Sequence, residues 1–176
     1  MTGRTDLVGG LGAKGMAVDD DEDLLNVYRA CLSLYDEGIE GEGDSNPFDV
    51  FPGMLPEIDL ATCSSGEAAI ALIKKADEDN TPFDIAFIDI QMPPGIDGIT
   101  TAEEIRKIDP DILLSFVTSF ESIHPAEIGQ RVPPVDRLFF LKKPFHYMEI
   151  QQLAIALGAR RQAEEKLRQM IQKIGR

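Results

Sequence analysis

The sequence predicts an α/β fold in which a parallel sheet of five strands is covered by helices on both faces. Short apolar runs that suit buried strands alternate five times with segments whose apolar residues recur at helical spacing, a pattern typical of parallel sheets. The central run, residues 83–90, is apolar enough for a strand buried on both faces. It delivers Asp89 to a loop containing Pro93, Pro94 and Gly95, which cannot continue a strand.

The predicted elements follow one another in strand–helix pairs. Strands are predicted at residues 14–18, 58–62, 83–90, 112–118 and 137–141. Helices are predicted at residues 24–35, directly after Ser65, and at 100–108, 122–131 and 146–174. Ser65 is a residue type that caps helix N-termini. In open parallel sheets the functional site lies outside the C-terminal ends of the strands, so those ends are where candidate residues are sought.

Composition and charge restrict the function. The chain has 176 residues and a net charge of -14, which argues against nucleic-acid binding because phosphate contacts need a basic surface. Its two cysteines, Cys31 and Cys63, have no metal-binding spacing. No apolar run reaches the ~20 residues of a membrane span, and the N-terminus has no apolar stretch of signal type. We therefore expect a cytoplasmic protein that has reduced thiols and no membrane segment.

Three regions flank or interrupt the predicted domain, which covers residues 14–157. Residues 1–13 are rich in Gly and Thr and are predicted to be a disordered leader. Residues 36–56 carry glycines, prolines and acids, so we expect an inserted surface loop. Residues 158–176 continue the last helix as a linker or dimerisation extension. Their apolar spacing indicates either a two-stranded coiled coil or an amphipathic tail that folds back.

Polar residues follow four of the five predicted strands. These are Asp19 and Asp20 after the first strand, Asp89 in the third, Thr118 in the fourth and Lys143 after the fifth. Carboxylates at one edge repel each other by about 4 kcal/mol per pair at ~4 Å and an effective dielectric constant of about 20, so a lysine or a cation must offset the repulsion. Oxygen ligands without His or Cys favour Mg²⁺. Carboxylate, cation, lysine and hydroxyl together indicate transfer of a phosphoryl group to an Asp nucleophile.

At these residues the chain resembles a bacterial response-regulator receiver domain of two-component signalling. The resemblance covers residues 14–157. It rests on the acidic pair Asp19-Asp20, on Asp89 followed by Met92-Pro93 and Asp97-Gly98, on Thr118-Ser119, and on Lys143-Pro144-Phe145. It implies a flavodoxin-like, doubly wound sheet in strand order 2-1-3-4-5 with an extended C-terminal helix.

The resemblance also implies a role for each residue of the site. Asp89 would accept the phosphoryl group, which Thr118 and Lys143 would bind. The cofactor would be Mg²⁺. Its ligands would be Asp19 acting through water, Asp20, Asp89 and the main-chain carbonyl of Gln91.

A second set of implied roles concerns the conformational switch. Thr118 and Phe140 would form it, and the Lys143–Pro144 peptide bond would be cis. Two departures from the usual family pattern bear on this switch. The loop at residues 92–98 is one residue longer than usual, and Phe140 lacks the hydroxyl group of the commoner Tyr, so it can switch only by packing.

The implied partners are those of a signalling module. A histidine kinase or a histidine phosphotransfer protein would phosphorylate Asp89. The face formed by helix 4, strand 5 and helix 5 would form a homodimer together with the C-terminal helix. An output domain of diguanylate cyclase or histidine kinase type would follow in the full protein. The domain itself would catalyse only its own phosphorylation and dephosphorylation.

Two other functions compete with this interpretation. An aspartyl-phosphate hydrolase of haloacid dehalogenase type needs a second Asp two residues after the nucleophile, and Gln91 at that position argues against it. A pure interaction domain would instead dimerise without phosphorylation and use the acidic edge as a structural Mg²⁺ site.

Among the lysines, Lys142 could replace Lys143, but the Lys-Pro step favours Lys143. His124 and His146 are expected to be surface residues.

Overall fold

The computed structural model of the protein describes residues 12–32, 58–119 and 124–175, and it confirms the predicted α/β fold. The strands are β1 Ala13–Val18, β2 Ile58–Cys63, β3 Ile85–Ile88, β4 Leu113–Thr118 and β5 Leu138–Lys142. The helices are α1 Glu22–Leu32, α2 Gly66–Glu78, α3 Gly98–Ile108, α4 Pro125–Arg131 and α5 Tyr147–Ile174. All neighbouring strands pair in parallel, in the order β2-β1-β3-β4-β5 that the resemblance implied.

Some boundaries differ from the sequence prediction. The strand β1 begins at Ala13, which was assigned to the disordered leader, because Ala13 is buried and pairs with Ile58 of β2. The strand β5 begins one residue late because Arg137 belongs to a short 3-10 turn. The predicted inserted loop at 36–56 and residues 1–11 of the leader lie outside the described residues.

The core consists of two apolar layers, one on each face of the sheet. Side chains of a strand alternate between faces, so Met16 and Val18 of β1 point into one layer while Ala13 and Ala17 point into the other. The first layer is completed by buried residues of α2, α3 and α4, and the second by those of α1 and α5. Each fully buried large apolar side chain contributes about 1.5–3 kcal/mol of transfer free energy. This two-sided burial makes the strand ends a rigid platform.

Each of the five described α-helices begins at a capping side chain. In α1 the cap is Asp21, whose Oδ1 accepts a hydrogen bond from Asp23 N–H at 2.9 Å. Ser65 accepts a hydrogen bond from Ala68 N–H at 3.2 Å, as the sequence predicted for α2, and Asp97 caps α3. The caps of α4 and α5 are His124 and His146. Their Nδ1 atoms accept hydrogen bonds from main-chain N–H groups two residues further along. Both histidines are exposed, as expected, but their capping role was not predicted because His is not among the residue types that usually cap helices.

The first part of the α5 extension packs against the N-terminal end of the sheet. Gly158 lies so close to Ala13 that an added Cβ would meet the Ala13 Cβ at 3.0 Å, and Gln162 donates to the Gly12 carbonyl at 2.8 Å. Further along, Glu164 accepts hydrogen bonds from Arg137 and Arg160, both at 2.9 Å. Beyond this contact an apolar stripe is exposed, formed by Leu167, Met170, Ile171 and Ile174. None of the described helices, α5 included, has the length and apolar character needed to cross a membrane.

Replacing Glu164 with Gln is expected to lower the free energy of unfolding by about 1 kcal/mol at neutral pH. Burial disfavours the charge of Glu164, but the hydrogen bonds from Arg160 and Arg137 outweigh it and lower the pKa of this carboxyl. The ionised group therefore stabilises the fold above its ordinary pKa, and this stabilisation is lost as pH falls through the lowered pKa. Urea unfolding at neutral and acid pH measures the difference. Glu165→Gln is the control, since the contacts of Glu165 with Arg168 and Gln169 stay within one exposed stretch of α5. Equal pH dependence in both variants would contradict the prediction.

Candidate functional site

The C-terminal ends of the strands hold the candidate site residues in place by main-chain hydrogen bonds. Asp19 N–H, just after β1, donates to the Cys63 carbonyl of β2 at 3.1 Å. Asp89 N–H, just after β3, donates to the Val18 carbonyl of β1 at 2.9 Å. Lys143 N–H, just after β5, donates to the Thr118 carbonyl of β4 at 3.0 Å. The hydrogen-bond ladder of the sheet thus extends one residue past the ends of β1, β3 and β5 and fixes the backbone of the site.

Lys143 connects two of the acids. Its Nζ donates to Asp19 Oδ2 at 2.6 Å and to Asp89 Oδ2 at 2.8 Å. The Lys143 side chain is 15% exposed, that of Asp89 is 11% exposed and that of Asp19 is fully buried. This is a charge triad with little access to water, in which a single ammonium group faces two carboxylates. The neighbouring Lys142 is exposed, so the structure brings Lys143 and not Lys142 to the acids.

The pKa values of two members of this triad, Asp19 and Lys143, are shifted. Burial raises the pKa of Asp19, and the hydrogen bonds from Lys143 and from Asp21 N–H offset only part of that effect. Burial disfavours the Lys143 ammonium, but its hydrogen bonds to Asp19 and Asp89 outweigh the burial and raise the pKa of Lys143. The lysine is therefore held in its charged form at the centre of the site.

Asp20 completes an acidic cluster with Asp19 and Asp89. Each residue offers one carboxylate oxygen, and these oxygens all lie within 4.8 Å of one another. Asp20 is exposed, so the cluster opens to solvent on its side. One lysine does not neutralise three carboxylates, and an all-oxygen donor set suits a hard divalent cation such as Mg²⁺. The residues present therefore fit the cation that the sequence predicted.

The segment between Asp89 and α3, residues 90–97, is named here the β3–α3 loop. Gln91, the second residue of the loop, donates its N–H to Asp89 Oδ1 at 3.2 Å and so lies beside this acid. Its side chain is exposed. At the other end, Gly98 N–H donates to the Ile90 carbonyl at 2.9 Å. A Cβ added at Gly98 would lie 1.9 Å from the Asp89 carbonyl oxygen, so only glycine permits this return of the chain. Asp97 accepts a hydrogen bond from Thr100 N–H at 2.7 Å and caps α3.

The two residues predicted to form the switch lie on β4 and β5. Thr118 is the last residue of β4 and is half-buried beside the segment that carries Lys143. Phe140 of β5 is 43% exposed, and its ring stacks on that of Phe116 at a centroid distance of 5.8 Å. The Lys143–Pro144 peptide bond is cis, as the resemblance implied.

Two residues near the site were not singled out in the sequence. Tyr28 of α1 is buried between the rings of Phe87 and Phe145, each 5.7 Å away between ring centroids. Burial raises the pKa of Tyr28 well above its usual value, with further contributions from the charges of Asp19 and Asp89. Its helical spacing predicted only a core position. The second residue is Glu67 of α2, whose carboxylate accepts a hydrogen bond from Ile96 N–H of the β3–α3 loop at 3.1 Å.

Comparison with known proteins adds a match of sequence. The sequence model of the response regulator receiver domain family matches residues 54–155. The response regulator receiver protein CpdR of Brucella abortus (strain 2308) is 36% identical over 81 residues, which are 43% of this chain and 62% of CpdR. The alignment therefore spans less than two thirds of that relative. Asp89, Thr118 and Lys143 lie within the family match, whereas Asp19 and Asp20 precede it.

Solved structures show the same fold. The CheY-like response regulator receiver domain protein of Methanospirillum hungatei JF-1 matches with a TM-score of 0.61 and 18% identity, over 86% of this chain and 98% of that chain. The response regulator TrrA of Thermotoga maritima, solved in complex with Mg²⁺ and BeF, matches with a TM-score of 0.53 and 19% identity, over 82% of this chain and 98% of that chain. At these identities the likeness concerns the fold alone.

Proposed function

The chain belongs to the response regulator receiver domain family, and on this premise we propose that it is a phosphorylation-controlled module whose phosphoacceptor is Asp89. The observation that carries the proposal is the triad of Asp19, Asp89 and Lys143 at the C-terminal ends of the strands. Asp89 is fixed by β3, accepts a hydrogen bond from a charged lysine and belongs to the acidic cluster. The family is regulatory, so the domain catalyses only its own phosphorylation and dephosphorylation.

The proposed chemistry is transfer from a phosphohistidine to the carboxylate of Asp89. The bond between an Asp89 oxygen and phosphorus forms while the nitrogen–phosphorus bond breaks, and the imidazole keeps the electron pair and takes up a proton. The Lys143 ammonium and the Thr118 hydroxyl bind the phosphoryl oxygens, where negative charge is greatest.

The proposed cofactor is Mg²⁺, which Asp20, Asp89 and the main-chain carbonyl of Gln91 would hold directly and Asp19 would hold through water. When bound, it neutralises the negative charge that collects at the phosphoryl oxygens and the acidic cluster. The fit of the acidic cluster to a hard cation supports this assignment.

The proposed switch couples Thr118 to Phe140. Phosphorylation draws Thr118 toward the phosphoryl group, and Phe140 then leaves its exposed position over Phe116 and packs inward. The exposed fraction of Phe140 supports this proposal, since an outward ring has room to move. The face formed by α4, β5 and α5 would change its affinity for a partner as a result.

The proposed partners are a histidine kinase or histidine phosphotransfer protein as donor, and a second copy of the chain. Dimerisation would use the α4–β5–α5 face and the α5 extension, residues 158–176, whose apolar stripe is exposed.

We place the protein in the cytoplasm. The extension would lead to an output domain of diguanylate cyclase or histidine kinase type. The net charge of -14 supports the absence of nucleic acid among the partners of this domain.

The test is intact-mass measurement after incubation with acetyl phosphate. We expect a phosphoryl adduct in the presence of Mg²⁺ and none when EDTA removes the cation. Peptide mapping is expected to locate the adduct in the segment that contains Asp89. The absence of any adduct with Mg²⁺ would refute the phosphoacceptor assignment, and equal labelling in EDTA would refute the role of the cation.

A further inference from the structure

One acidic side chain outside the site contacts the β3–α3 loop. Glu67, the second residue of α2, accepts a hydrogen bond from Ile96 N–H at 3.1 Å through its Oε1 atom. The two residues are 29 positions apart in the chain, so the bond links two separate elements. Hydrogen bonds to its own N–H and to that of Ile96 lower the pKa of Glu67, which keeps the carboxylate charged and able to accept.

The start of α2 also packs closely against Gly95 and against the Ile96 side chain. A Cβ added at Gly95 would lie 2.7 Å from Glu67 Oε2 and 2.8 Å from Oε1, so a side chain at this position would displace the carboxylate. The Ile96 side chain packs over the backbone of Gly66, the residue before Glu67. The start of α2 and the middle of the loop therefore fit together through a hydrogen bond and through packing.

This contact falls in the middle of the β3–α3 loop, next to Gly95. The loop starts beside the acidic cluster, where Gln91 N–H donates to Asp89, and it ends at the α3 cap Asp97. Its ends are fixed by β3 and α3, whereas the middle contains Gly95, which adds backbone freedom. A hydrogen bond from the rigid start of α2 reduces that freedom.

We propose that Glu67 is a positioning residue that holds the β3–α3 loop in the conformation that presents the Gln91 carbonyl to a divalent cation. This inference rests on the proposed Mg²⁺ site. A loop released from α2 samples more conformations, so cation binding must order it and becomes weaker. Loss of such an outer contact is expected to weaken Mg²⁺ binding about tenfold.

The experiment compares Glu67→Ala and Glu67→Gln with the wild type. NMR of the cation-free protein measures the shift and hydrogen-exchange rate of the Ile96 amide, and calorimetric titration with MgCl₂ measures the dissociation constant. We expect faster Ile96 exchange and about tenfold weaker Mg²⁺ binding in Glu67→Ala. Glu67→Gln retains an acceptor oxygen and is expected to remain near the wild type in both measurements. Glu127→Ala, an exposed acid in the first turn of α4, is the control and should change neither.

Two results would overturn the inference. One is Ile96 exchange that is unchanged in Glu67→Ala. The other is faster exchange with unaltered Mg²⁺ affinity, which would make the contact purely structural. Failure of the proposed Mg²⁺ site is distinguishable, because the wild type would then bind no Mg²⁺ at all, and failure of Asp89 as phosphoacceptor is measured separately by the acetyl phosphate test. If the wild type binds no Mg²⁺, the positioning role of Glu67 is also refuted, and the exchange data describe only the contact of Glu67 with Ile96.

Discussion

Replacing Asp89 with Asn is expected to abolish the phosphoryl adduct formed with acetyl phosphate and Mg²⁺. The Asn side chain has nearly the same shape and can still accept a hydrogen bond from Lys143, but its neutral amide is a far weaker nucleophile than a carboxylate. The fold is expected to persist, because Asp89 N–H bonds to Val18 through the main chain, which the substitution leaves intact. Removing one of three clustered carboxylates also relieves repulsion in the cation-free protein.

The control for this variant lies in the β3–α3 loop, which follows Asp89. Asp97→Asn removes an acid near the site but preserves the cap of α3, since Asn and Asp cap helices about equally well. We expect the adduct to form in Asp97→Asn and to be absent in Asp89→Asn when intact masses are compared. An adduct of undiminished yield in Asp89→Asn would assign the phosphoryl group to another side chain and would reject Asp89 as acceptor.

The sequence predicted the site residues that follow strands, because the end of an apolar run is visible without any structure. Asp19 and Asp89 each follow such a run, and parallel pairing brings all C-terminal strand ends to one edge. Lys143 lies 124 positions from Asp19, yet the same argument places both at this edge. The family match begins at residue 54 and does not include Asp19, so the place of Asp19 beside Asp89 rests on the strand-end argument and on its hydrogen bond from Lys143.

Contacts made at the first residues of helices and strands could not be predicted in the same way. Glu67 follows Ser65 at the start of α2, where an acid is favoured by the helix dipole alone, so its bond to Ile96 left no separate signal. The capping role of His146 depends on which imidazole nitrogen faces the Met148 N–H, and sequence does not encode that orientation. Ala13 has no polar or turn-forming character, and only its pairing with Ile58 extends β1 to include it.

Replacing Lys143 with Met is expected to lower the free energy of unfolding by about 3–5 kcal/mol in EDTA, because removal of one partner leaves buried carboxylates uncompensated. Asp19 is fully buried and Asp89 nearly so, and each loses a hydrogen bond from the same Nζ atom. Urea unfolding followed by circular dichroism measures the loss. Lys142→Met is the matched control, since its exposed side chain lies one residue away, and a change of less than about 1 kcal/mol is expected there.

A double-mutant cycle separates the ion pair from other effects of the Lys143 substitution. In an Asp19→Asn background the buried negative charge is already absent, so Lys143→Met should cost less, with a coupling of about 1–3 kcal/mol. Mg²⁺ should also restore part of the stability of Lys143→Met, since a cation at the acidic cluster offsets the same charge that the ammonium group offset. If Lys143→Met and Lys142→Met were equally stable in EDTA, Asp19 would have to be neutral in the folded protein. In that case the lysine would serve phosphoryl binding alone and would contribute nothing to the stability of the resting state.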